Sequence, residues 1–176
     1  MKIMNTTYYY LGACFLVCLA VRDSYELLKE AGRIKEGNRP AFIVVFLAMG
    51  TLWVSWFLLC PEDPYRLGLP SLIQWVGQLI AIMGTILAVG ALIQLRGLEG
   101  IDHLVTRGLF RRLRHPMYLG FILWIIGWST AHDAAVALAI GVPALASILW
   151  WRKLEDRRLT RQFGDAYREY KQSTWF

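Results

Sequence analysis

Charge is scarce in this chain. Only 18% of its 176 residues are Asp, Glu, Lys or Arg, while 56% are hydrophobic and the mean hydropathy is +0.40. A soluble domain carries about a quarter of charged residues, so a water-surrounded globule is excluded. Cysteine is equally sparse. Cys14, Cys18 and Cys60 each sit in an apolar run, with no C-x-x-C pair and no Cys/His spacing. They read as small packing residues, and no metal site is expected. Also missing are a G-x-G-x-x-G turn after a strand, a P-loop and a G-x-S-x-G elbow. That removes a soluble Rossmann nucleotide domain. No repeat or low-complexity tract is present. The net charge of +6 and the pI near 9.4 could suit nucleic acid. No soluble basic module exists to carry such binding, so none is expected.

Long apolar runs are what the chain does have. A bilayer core of about 30 Å takes roughly 20 helical residues. Five stretches qualify as spans: 3–21, 41–60, 71–95, 117–131 and 134–151. Only His132 and Asp133 divide the last two, which predicts a tight helical hairpin. The first run has no clear cleavage site after it and reads as a retained helix. The cations fall in three segments. Arg22, Lys29, Arg33, Lys35 and Arg39 lie in the first. Arg96, Arg107, Arg111, Arg112 and Arg114 lie in the second. The tail holds Arg152, Lys153, Arg157, Arg158, Arg161, Arg168 and Lys171. Five spans put all three on one side and leave only Lys2 and Arg66 on the other. By the positive-inside rule the N terminus is outside and the C terminus cytoplasmic. The expectation is an all-α, polytopic bundle in one integral membrane domain over 1–176. Three spans lie within 1–95, and a second half over 96–176 holds the hairpin 117–151 and a cytoplasmic helical tail 152–176. A bacterial cytoplasmic membrane is the expected location, with the lipid bilayer as partner.

The outer connections are short and the inner ones long, so chemistry is expected on the cytoplasmic face. Segment 22–40 has apolar spacing at Tyr25, Leu28 and Ile34 and reads as an amphipathic surface helix ending near Gly37. Trp53, Trp56, Trp75, Trp124, Trp128, Trp150 and Trp151 are expected mostly at the interface or facing lipid. In the third span, Gly77, Gly84, Ala88 and Ala91 form a small-residue face suited to close helix contact. Gln74, Gln78 and Gln94 are expected to bond to neighbouring helices.

Two inner constellations carry chemistry. The first is "HLVTRGLFRRLRHPMYLG", His103 to Gly120. Gly108 supplies a turn. Pro116 suits the first turn of a helix, which places His115 at or just before the N-cap. The free N–H groups of a helix start attract an anion, and Arg114 adds a planar fork for carboxylate or phosphate. Tyr118 adds an aromatic face one turn in. The second is "WRKLEDRRLTRQFGDAYREYKQ", Trp151 to Gln172. Glu155, Leu159 and Phe163 recur at steps of four along one helix stripe. Gly164 reads as a stop and Asp165 as the cap of a second short helix, on which Tyr167 and Tyr170 share a face. The tail is expected to fold back over the bundle mouth. A carboxylate buried there needs a partner, either Arg114 or a positively charged ligand.

"RHPMYLG" at 114–120 followed by "EDRRLTRQFGDAYREY" at 155–170 resembles the isoprenylcysteine carboxyl methyltransferase family, itself similar to phospholipid N-methyltransferases. The resemblance covers about residues 100–172. It implies an integral membrane enzyme that binds S-adenosylmethionine on its cytoplasmic side. Matched by motif, the cofactor contacts would be His103, Leu104, Val105, Gly108, Arg114, His115, Pro116, Tyr118 and Glu155. Leu159, Phe163, Tyr167 and Tyr170 would shape and close the pocket. Arg114, Glu155 and His115 are the catalytic candidates. This chain departs from the pattern at Asp156, where a second Glu is common, and at Leu109, where Pro is common. The acceptor would be a lipophilic or small carboxyl, thiol or amine compound. A carboxylate needs no general base, whereas a thiol or amine would give its proton to His115, Glu155 or Tyr118. Two alternatives are an NADPH-dependent reductase of the sterol-reductase type, usually a much longer protein, and a non-catalytic membrane binding protein of the same fold.

Overall fold

The computed structural model describes residues 6–35, 37–95 and 104–176. Six α-helices account for most of them: α1 (Thr6–Glu30), α2 (Arg39–Leu59), α3 (Ser71–Leu95), α4 (Pro116–Ala131), α5 (Ala135–Phe163) and α6 (Asp165–Ser173). A 3-10 turn, Gly108–Arg111, precedes α4. The all-α expectation holds among the described residues, where extended pairing is limited to two isolated bridges. By length and composition α2, α3 and α5 can cross a membrane, while α4 is apolar but has 16 residues.

The helix boundaries follow from local chemistry. Asn38 caps α2 by accepting from the Ala41 amide at 3.1 Å, and Pro40 occupies its first turn. His115 is the N-cap of α4 with Pro116 in the first turn, as the sequence predicts. The α4–α5 turn is as tight as expected. Asp133 turns it with a φ of +56°, a conformation Asp tolerates. Its carboxylate accepts from the amides of Gly68 and Leu69 at 3.2 and 2.9 Å. At the same end Asp63 accepts from the Ala137 amide at 2.6 Å and the Tyr8 hydroxyl at 3.3 Å. Two carboxylates thus stitch the α2–α3 and α4–α5 connections to each other and to the ends of α1 and α5.

The small-residue face of α3 is used as expected. Gly77, Ala81, Gly84, Ala88 and Ala91 are buried. They meet Gly120 and Gly127 of α4 so closely that a Cβ on Gly120 would lie 2.6 Å from the Gly84 carbonyl oxygen. The remaining core is aliphatic and aromatic, built on Phe15, Leu52, Trp56, Leu59, Ile125, Ile148 and Trp151.

Two expectations need correction. Among the described residues of segment 22–40 there is no separate surface helix. α1 continues unbroken from its apolar part through Arg22 to Glu30. Its charged end is held against α5, because Arg158 pairs with Glu26 and Glu30 and so buries Glu26. The tryptophans are not mostly peripheral either. Trp56 and Trp151 are fully buried, and Trp53, Trp124 and Trp128 are half-buried in an aromatic cluster with Phe57 and Phe121. Trp75 is exposed, as expected. Indole N–H groups that find acceptors, Trp128 on the Phe57 carbonyl at 3.0 Å and Trp151 on the Asp23 carboxylate at 2.8 Å, let those two rings face inward.

Candidate functional site

The site is assembled by the loop before α4, the start of α4, the charged continuation of α5 beyond Trp151, and α6. Gly108 takes a φ of +62°, and the turn it makes brings the Leu109 amide onto the Gln94 side-chain oxygen at 2.9 Å. Gln94 therefore anchors the loop to the end of α3.

The tail folds back, as the apolar stripe and the two tyrosines predict. Gly164 breaks α5 from α6 with a φ of +58°. Gly164, not Asp165 as expected, is the N-cap of α6, and Asp165 lies in its first turn, paired with Arg168 at 2.7 Å. Beyond α6 the chain runs beside the loop. The Trp175 amide donates to the Arg112 carbonyl at 2.8 Å, and the Arg114 amide to the Trp175 carbonyl at 3.1 Å. The Tyr170 hydroxyl donates to the Phe110 carbonyl at 2.6 Å. Burial pushes the Tyr170 hydroxyl up to about 12, although Arg114 opposes the shift.

Arg114 closes this hook with its side chain. Its Nη1 donates to the carbonyls of Lys171 and Thr174 at 2.8 and 3.1 Å. Free carbonyls at a helix end carry partial negative charge, so a guanidinium there is favoured. Its buried Nε has no hydrogen-bond partner among the described residues and lies 4.0 Å from the Asp156 carboxylate.

Asp156 is the hub. It accepts from His115 Nε2 at 2.8 Å and from the Tyr167 hydroxyl, and it pairs with Lys171 at 3.3 Å. Burial pushes its carboxyl up, but the hydrogen bonds from His115 and Tyr167 and the charge of Lys171 outweigh that and hold it well below the usual range. An ionised carboxylate only accepts, so Nε2 carries the imidazole proton. Tyr167 is fully buried, and burial together with the Asp156 charge raises its hydroxyl far above the ordinary value.

Glu155 faces another way. Its electrostatic neighbours are the buried Tyr118 and, through that residue, Arg22 of α1. The His115 and Tyr118 rings lie 5.7 Å apart, centroid to centroid. The site residues named from the sequence therefore fall into two groups. Arg114, His115, Pro116, Tyr118, Glu155, Tyr167 and Tyr170 are gathered at the mouth of the bundle. Leu104, Val105, Leu159 and Phe163 are half-buried at its edge, and Gly108 shapes the loop. His103 lies outside the described residues. The partner anticipated for Glu155 was Arg114 or a ligand, yet the acid nearest Arg114 is Asp156. Sequence reasoning missed Asp156 as hub, and also Lys171, Trp175 and Arg22. Asp156 was signalled only by its adjacency to Glu155. Among the described residues no three His, Cys, Asp or Glu side chains could hold a metal ion.

The phospholipid methyltransferase family profile matches residues 72–166, more than half of the chain. The chain belongs to the phospholipid methyltransferase family. The match begins in α3 and ends in α6, so it contains the loop, α4, Glu155 and Asp156. Two relatives extend the similarity beyond that segment. A protein-S-isoprenylcysteine O-methyltransferase of Dictyostelium discoideum is 26% identical over 152 residues, covering 78% of this chain and 60% of that protein. A methanethiol S-methyltransferase of Pseudomonas deceptionensis is 29% identical over 141 residues, covering 74% and 53%. A protein-S-isoprenylcysteine O-methyltransferase A of Arabidopsis thaliana is 36% identical over 77 residues, covering 40% and 36%. The chain spans about half the length of the curated relatives it matches. The resemblance to isoprenylcysteine methyltransferases carried by "RHPMYLG" and the Glu155 stripe is borne out by this membership.

Proposed function

We propose that this chain transfers a methyl group from S-adenosylmethionine to a lipophilic or small acceptor, a thiol or a carboxylate, at the inner face of a membrane. The observation that carries this reading is the meeting of the α4 start, Arg114 and His115, with Asp156 under the α6 flap, next in sequence to Glu155. The printed names of the relatives support methyl transfer to isoprenylcysteine or methanethiol by those proteins. The cation pattern supports five crossings with the site inside, with α1 and α4 completing the set begun by α2, α3 and α5.

The residues present fit such a donor. Arg114 has a buried Nε without an acceptor beside the free N–H groups of α4, a place for a carboxylate. Glu155 is a half-buried acid suited to an ammonium group. Bound there, the donor would supply an activated methyl on a sulfonium whose charge disappears as the methyl leaves. Docking of α6 on the loop excludes water from such a reaction. A carboxylate acceptor needs no base. A thiol acceptor must lose a proton, and His115, oriented by Asp156, is the group we assign to take it.

The test is transfer of labelled methyl from S-adenosylmethionine, in membranes holding the protein, to a prenylated cysteine and to a short alkanethiol. Transfer to one of them is expected, falling about 100-fold in Glu155→Gln and Arg114→Ala, with helical content unchanged. No transfer to either acceptor, or full activity in both variants, contradicts the proposal.

A further inference from the structure

The charged end of α1 and the continuation of α5 leave a cavity of about 380 Å³ between them. Lys29, Glu30 and Ile34 line one side of it, and Arg158, Arg161 and Gln162 the other. The lining thus holds three cations and a single acid. Glu30 is already engaged, because its carboxylate lies 3.1 Å from Arg158 Nε and 3.6 Å from Arg161 Nη2. Arg158 is committed as well, to buried Glu26. Arg161 differs. Its side chain is 68% exposed, so the contact with Glu30 leaves much of its planar fork open to an incoming anion. Lys29 places a second cation at the same cavity, with its ammonium 5.6 Å from the centroid of the Tyr25 ring.

Ile34 reaches the cavity because the chain reverses after α1. Gly32 takes a φ of +69°, and the amides of Arg33 and Ile34 donate to the Leu28 carbonyl at 2.9 and 3.3 Å. The Leu27 and Lys29 carbonyls accept from Ala31 and Gly32 in the same turn. Carbonyls satisfied in this way weaken the negative pole of the helix beside the cavity. The cavity also has a defined depth. Arg22 is the first charge after the apolar part of α1, and Lys29 follows it by about 10 Å along the helix, at the level of lipid headgroups. Val17 and Leu28 are exposed on one face of α1, about three turns apart. That face leads from the cavity toward the apolar part of the helix. A soluble anion would use the cations alone, whereas a lipid uses the cations and the apolar strip together.

We propose that this cavity is a headgroup site for an anionic phospholipid. Its phosphate is held between Arg161 and Lys29, and its chains lie along the exposed face of α1. The site is separate from the one at the start of α4 and does not rest on the methyl-donor reading. In the topology proposed above it opens on the cytoplasmic leaflet, where anionic lipids attract cations at the surface. A lipid bound there bridges α1 to the part of α5 that continues beyond the apolar run.

The test is native mass spectrometry of the full-length protein, purified in neutral detergent and titrated with phosphatidylglycerol, phosphatidylcholine or inorganic phosphate. A single phosphatidylglycerol is expected to bind saturably, and more tightly than phosphatidylcholine. Arg161→Gln should weaken that binding about fivefold, and Arg161→Gln with Lys29→Gln about 25-fold. Arg39→Gln with Arg111→Gln removes as many charges from exposed positions outside the cavity and should leave the binding unchanged. Equal weakening by the two double variants would mean diffuse attraction and overturn the proposal. Phosphatidylcholine bound as tightly as phosphatidylglycerol would overturn it too. Inorganic phosphate bound as tightly as phosphatidylglycerol would make this a site for a free anion and overturn the lipid assignment. Thermal midpoints in the same detergent show whether each variant folds. If the Arg161 and Lys29 double variant does not fold, Arg161→Gln decides alone: the fivefold loss supports the site and unchanged binding overturns it.

Discussion

At the scale of single residues the site is organised around one carboxylate. Asp156 ties the N-cap histidine of α4 to Tyr167 and Lys171 of α6, so it joins the bundle to the flap. Its folded carboxyl titrates below the ordinary value near 3.9. A group with a depressed folded pKa contributes its stability in full above the unfolded value and loses it as pH falls toward the folded one. Amide hydrogen exchange over Tyr167–Trp175 should therefore stay slow from neutral pH down to about pH 4 and accelerate below it, after correction for intrinsic rates. Asp156→Asn should expose the same amides at every pH, with docking weakened by about 1.5–3 kcal/mol. Unchanged exchange in Asp156→Asn would show that α6 is held without this carboxylate. None of this was legible in the sequence, where Asp156 differs from the family pattern by one methylene and Glu155 drew the attention. Arg114 misleads for a related reason. Its motif announces anion recognition, while only the folded tail reveals that its Nη1 is already engaged by the carbonyls of Lys171 and Thr174.

At the scale of elements the apolar pattern was sufficient for most boundaries. The runs 41–60 and 71–95 fall within a few residues of α2 and on α3, and Pro116 marks the start of α4. These are one-dimensional signals: a stretch free of charge, a proline where no donor is needed, a two-residue polar break. The end of α1 was not legible, because Arg22 to Glu30 has the charge and apolar spacing of a surface helix. What keeps it in line is a set of ion pairs with Arg158, more than 120 residues away. The contact of α3 with α4 was foreshadowed by the small residues of α3, but its partners Gly120 and Gly127 were not named. Gly120→Ala should lower the thermal midpoint in detergent, at a cost of about 1–3 kcal/mol, because the new methyl meets backbone on the facing helix. Gly50→Ala in α2, with nothing within 4 Å of the added carbon, should be near-neutral and serves as the control. Equal effects of the two would refute close glycine packing as the basis of that interface.

At the scale of the whole molecule, the described residues divide into one end stitched by Asp63 and Asp133 and a second end of ion pairs, the loop and the tail. The five-crossing arrangement proposed above puts that second end in the cytoplasm. With the native cysteines replaced, a cysteine at Glu62 should react with an impermeant maleimide on intact cells, and one at Gln172 should react only after permeabilisation. The reverse pattern would invert the topology. The central claim is narrower than topology and can be tested more directly. Calorimetric titration of the detergent-purified protein with S-adenosylmethionine, using NADPH as the control titrant, should show saturable binding of the first and none of the second, with binding lost in Glu155→Gln. Binding of NADPH instead would contradict the account in favour of a reductase, and binding of neither would leave the motifs of α4 and α5 as structural devices of the bundle.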